Sequence, residues 1–70
     1  MKRFVSSKND KGFAKTVLEV DDGGVACLAF EREDSAYPEW DYWEQDLETA
    51  KAMCLDLWGV PTVSWGEVPA

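Results

Sequence analysis

The sequence predicts an α+β fold, a meander of three to four antiparallel strands with one C-terminal helix packed on one face. Two observations carry that expectation. Segments rich in apolar and β-branched residues at about 2-7, 13-20 and 25-32 are separated by clusters of Asn, Asp, Lys and Gly, the grammar of strands joined by turns. Further on, Leu47, Ala50, Cys54, Leu57 and Trp58 recur at helical spacing between a capping Asp46 and the stop signal Gly59-Val60-Pro61.

The first strand, Lys2 to Ser7, ends at the polar run Lys8-Asn9-Asp10-Lys11-Gly12, and the second begins at Phe13. Asp21-Asp22-Gly23-Gly24 marks a hairpin, because Asp-Gly and Gly-Gly supply the positive φ that tight strand reversals use. With Asp22-Gly23 as a two-residue loop, Val20 opposes Val25 and Leu18 opposes Cys27. One face then carries Ala14, Thr16, Leu18, Val20, Val25, Cys27 and Ala29, and the other Phe13, Val17, Ala26, Leu28 and Phe30. A slip of one residue would exchange the third strand's faces. Both faces are apolar, so one helix cannot cover them. The tail, the aromatic loop or a second molecule is expected on the other face.

Pro38 bars a central strand from residues 31 to 45, leaving Trp40 to Glu44 as an edge strand at most. The helix is expected over about 47-58. Asp46 caps free N–H groups at its start, and Glu48 suits its positive end. Leu47, Ala50, Cys54, Leu57 and Trp58 should face the sheet, flanked by Met53 and Leu55. The tail, 59-70, is expected to return over the sheet, anchored by Val63 and Trp65.

Seventy residues suit one domain, and 46% hydrophobic residues are too many for a disordered chain despite a net charge of -7. The chain shows no secretory signal and no apolar run of membrane-spanning length, so a cytoplasmic address is expected. Cys27 and Cys54 sit in apolar runs without metal-type spacing and are expected to be buried, reduced thiols. Charge is unevenly placed. Up to Lys15, five bases face one acid, a balance of +4; beyond it, two bases face thirteen acids, a balance of -11. Such a surface repels nucleic acid and anionic lipid and favours a basic protein partner.

Histidine is absent, which removes the commonest general base and zinc ligand. Gly23 and Gly24 lack the setting of a phosphate loop. The acids between Glu31 and Glu48 do not follow the ligand spacing of a calcium loop. No catalytic residue, metal site or cofactor is therefore expected, and the chain reads as a non-enzyme. Four aromatic rings and six acids are interleaved between Glu31 and Gln45. Aromatic anchors ringed by steering carboxylates are the composition of a binding surface, although the rings would equally serve to close a small core. The candidate partner-binding residues are Glu39, Trp40, Asp41, Tyr42, Trp43 and Glu44, with Glu33 and Asp34 as steering charges.

The stretch Asp46-Leu47-Glu48-Thr49-Ala50-Lys51-Ala52-Met53-Cys54, followed by Trp58-Gly59-Val60-Pro61 and Trp65, resembles the C-terminal part of small acidic bacterial proteins built of strands followed by one helix, some of them similar to immunity proteins of toxin systems. The resemblance implies a cytoplasmic, non-enzymatic protein and transfers no functional residue. The leading expectation is an acidic binding domain, of immunity or inhibitor type, that covers a basic surface of a toxin or nucleic-acid enzyme. The alternatives are a homodimer or larger homo-oligomer joined through the second apolar sheet face, and a small protein dependent on a divalent metal.

Overall fold

A computed structural model describes residues 1–69. Its strands are β1 (Lys2–Ser6), β2 (Lys15–Asp21), β3 (Gly24–Phe30), β4 (Trp40–Glu44) and β5 (Gly66–Val68), with helix α1 (Leu47–Trp58) between the last two. All pairings are antiparallel, in the order β4-β3-β2-β1-β5. The class is therefore α+β, but the sheet has five strands and the helix is not the last element. The fifth strand rests on pairing between Arg3 to Val5 and Gly66 to Val68, a long-range match to which three residues contribute no periodicity.

The central hairpin has Asp22-Gly23 as its loop, with Val20 opposite Val25 and Leu18 opposite Cys27. Asp21 Oδ1 accepts the Gly23 N–H at 2.8 Å. Neither loop residue takes a positive φ; Gly24, the first residue of β3, does so instead at 144°. A Cβ there would lie 2.6 Å from the Glu44 carbonyl oxygen and 2.9 Å from the Trp43 ring, so Gly24 is what lets β4 close on β3.

Helix α1 starts where Asp46 Oδ1 accepts the Thr49 N–H at 2.8 Å, a contact that holds the carboxyl below its ordinary pKa. It stops at Gly59, φ 66°, whose N–H reaches the Leu55 carbonyl at 3.1 Å while that of Val60 reaches Cys54 at 3.2 Å. Ala50, Cys54 and Trp58, one line at i, i+4 spacing, are buried against Leu18, Val25, Cys27 and Ala29, with Val60 closing the cluster. Leu47 and Met53 pack at its margin. Leu57 departs from the expected stripe and is 42% exposed, because it lies on the flank of the helix that overhangs edge strand β4.

Two further expectations give way to local bonding. Phe13 does not begin a strand: Asn9 Oδ1 accepts the N–H groups of Lys11 and Phe13, both at 3.0 Å, and its Nδ2 donates to the Phe13 carbonyl at 3.0 Å. With its backbone used by Asn9, Phe13 packs edge-on against Trp58 with centroids 5.8 Å apart, on the helix side of the sheet rather than the opposite one. The loop is tied to the helix end by Asp10 N–H donating to the Trp58 carbonyl at 2.8 Å. Val63, the expected anchor, is 96% exposed on a 3₁₀ turn (Thr62–Ser64), where Ser64 Oγ instead meets Ser6 Oγ at 2.6 Å. Trp65 does pack against the core margin. Ala70 lies outside the described residues.

The tail adds a strand rather than covering the second face. Val17, between its cross-strand partners Val5 and Leu28, is fully buried there. Lys15 Nζ stands 5.1 Å over the Phe30 ring and 3.7 Å from the Glu33 carboxylate, and Arg3 lies 3.6 Å from Glu19 across β1 and β2. The aliphatic stems of these side chains narrow the apolar face.

Candidate functional site

Strand pleat decides how the aromatic and acidic residues of β4 are shared out. Trp40, Tyr42 and Glu44 stand opposite Ala29, Cys27 and Val25 and so belong to the helix side; Asp41 and Trp43, opposite Leu28 and Ala26, belong to the other. The stretch is consequently not one surface. On the far face Trp43 packs on Gly24 and is still 56% exposed. On the helix side Trp40 is 50% exposed and Tyr42 41%. Glu33 and Asp34 sit in the β3–β4 loop, and Glu39 immediately before β4, all exposed. Glu39 N–H donates to the Ala29 carbonyl at 2.7 Å, which brings the loop back into the sheet despite Pro38.

The helix-side half forms a groove of about 400 Å³ where β4, the end of α1 and the β1–β2 loop meet. Its rings are Phe13, Trp40, Tyr42 and Trp58, and its charged side chains are Glu31 and Lys11. Leu57 completes the wall. Trp58 is the buried platform: Phe13 packs on it edge-on, and Tyr42 tilts toward it with centroids 5.9 Å apart. Phe13, Trp58, Leu57 and Glu31 were not expected at a site. Each read locally as a core, stripe or loop residue, and only the tertiary fold brings them beside Trp40 and Tyr42.

A second depression, about 420 Å³, lies under the β3–β4 loop between Glu31, Arg32, Tyr37 and Glu39. The first groove is lined by one acid and one base, Glu31 and Lys11, and the second by two acids and one base, Glu31, Glu39 and Arg32. Of the eight acids from Glu31 to Glu48, Glu33 is the one ion-paired among the described residues, and Asp46 is engaged in its cap.

The two thiols lie away from these grooves, buried between β3 and α1 and unbridged. Donation from the Cys54 thiol to the Cys27 sulfur, together with burial, pushes the Cys54 pKa far above its usual range. Among the described residues no three Cys, Asp or Glu side chains gather as a metal site, and no helix is long and apolar enough to cross a membrane. In comparisons with known proteins, no family model, no curated protein and no solved structure matches the chain.

Proposed function

We propose that the protein is a non-enzymatic acidic binding domain that covers a basic surface of a protein partner, in the manner of a bacterial immunity or inhibitor protein, and that it works in the cytoplasm. The observation that carries this reading is the half-exposed Trp40 and Tyr42 on an edge strand flanked by carboxylates of which, among the described residues, Glu33 alone is ion-paired, to Lys15 at 3.7 Å. Large rings at an exposed site are costly to solubility and valuable at the centre of an interface, while surrounding carboxylates steer a basic partner and raise its on-rate. Trp43 and Asp41, on the other side of the pleat, would meet the partner only if it wraps around the β4 edge. A partner captured from the source cell should lose on-rate when Glu33→Gln or Asp34→Asn is introduced. Trp40→Ala should instead accelerate dissociation by a factor worth about 2 kcal/mol. Association indifferent to salt and to both charge changes would remove the reading.

A homo-oligomer is the second reading, favoured by the partly exposed Val5, Ala26, Leu28 and Val68 on the face opposite the helix. Mass measured against concentration separates the two: the first reading gives a monomer throughout.

A further inference from the structure

We infer that the groove beside Trp58 is the seat of a single guanidinium group, an arginine side chain presented by the basic partner. The inference rests on the binding reading above and names the chemistry that the site recognises. Three features of the groove converge on a flat cation. Its walls are aromatic: Trp40 and Tyr42 offer exposed ring surface, and Trp58 holds the frame through Phe13 at 5.8 Å and Tyr42 at 5.9 Å. Ring faces carry partial negative charge and attract a cation, and guanidinium stacks on them because it is planar and weakly hydrated. Second, Glu31 supplies a carboxylate on the lining, free of any ion pair among the described residues and able to accept two parallel N–H bonds. Third, the groove's rings carry no stacked cation of the chain's own: among the described residues the cations over rings are Lys15 on Phe30 and Lys51 on Phe4, at 5.1 and 5.5 Å, both away from this groove.

Lys11 is the contrary charge on the same lining. It opposes a cation and would favour an anion, which makes the sign of its effect decisive. If the occupant is a guanidinium, removing the Lys11 charge tightens binding and removing the Glu31 charge weakens it. An anionic occupant reverses both signs.

The experiment uses the full chain labelled with ¹⁵N and follows the four tryptophan indole N–H signals. The probes are N-acetylarginine amide, N-acetyllysine amide and N-acetylglutamate amide, with a lysine-only basic peptide in parallel. The arginine probe should shift Trp40 and Trp58 but not Trp43, on the opposite face, or Trp65, beside β5. Its affinity should fall about tenfold in Glu31→Gln, as expected for loss of a charged hydrogen-bond partner. It should fall about threefold in Trp40→Ala and rise about threefold in Lys11→Gln. Both charge positions are exposed, so these variants keep the fold. No shift with the arginine probe, equal shifts with the lysine probe, or reversed signs with the glutamate probe bound would each overturn the inference. If the lysine-only peptide binds while Trp40 and Trp58 stay unmoved by arginine, the guanidinium seat falls and the acidic binding reading stands. If no basic probe binds anywhere, both fall.

Discussion

Replacing Gly24 by alanine tests how the edge strand that carries the candidate site is held. The backbone there has φ 144°, which side-chain-bearing residues rarely adopt, at a cost of about 1–3 kcal/mol. The new methyl would also sit 2.6 Å from the Glu44 carbonyl oxygen and 2.9 Å from two atoms of the Trp43 ring. The ring can swing away, but the carbonyl belongs to β4, whose register pairs Val25 with Glu44. Overpacking of this kind adds about 1–3 kcal/mol, so Gly24→Ala should cost about 2–6 kcal/mol in all. A chain of this length has roughly 4–10 kcal/mol of stability to lose, so the variant is expected to be severely weakened. Gly23→Ala is the control: its methyl would find its nearest neighbours at 3.5 and 3.7 Å, and its cost should stay within about 0.5 kcal/mol. Urea unfolding at neutral pH, followed by circular dichroism, measures both. In a Trp43→Ala background the penalty at Gly24 should shrink without vanishing, because the carbonyl contact remains. Equal stabilities for Gly23→Ala and Gly24→Ala would refute the account of how β4 closes on β3.

Three other expectations follow from the same geometry. Trp58→Ala should cost about 3–5 kcal/mol, against less than about 1 kcal/mol for the half-exposed Leu57→Ala, again by urea unfolding. Because the Cys54 thiol is raised in the folded state, stability is complete below the unfolded thiol pKa of about 8.5 and should fall above it by up to about 1.4 kcal/mol per pH unit; Cys54→Ala should flatten that decline, and dithiothreitol should leave the melting temperature at pH 7 unchanged. Asp46 has a depressed pKa, so its cap is intact above about pH 3.9 and is lost as pH falls through the folded value. Asp46→Asn should keep the helix while removing that acid-side dependence of the melting temperature.

The strongest local signals in the sequence survive into the fold because they depend on neighbours along the chain. Asp22-Gly23 between two alternating segments set the hairpin and its register, and Asp46 with Gly59 set the ends of the helix. What was not legible depends on groups distant in sequence or on side-chain bonding that competes with a ladder. Asn9 diverts Phe13 from a strand to Trp58, and Ser6 holds the turn that turns Val63 outward. Gly66 to Val68 become a strand only because β1 offers a free edge. The candidate site was legible in part. Composition singled out residues 39 to 44, but the pleat of β4 divides them, and Phe13, Glu31 and Trp58 join Trp40 and Tyr42 only through folding.

The most direct test of the binding account is a kinetic one, the association of the chain with its basic partner at about 50 and 500 mM salt. The Debye length shrinks from roughly 14 to 4 Å between these conditions. The account expects the on-rate to fall steeply with salt in the native chain, less steeply in Glu33→Gln and Asp34→Asn, and the off-rate to change chiefly in Trp40→Ala. An on-rate unaffected by salt, with Trp40→Ala dissociating as slowly as the native chain, would contradict it.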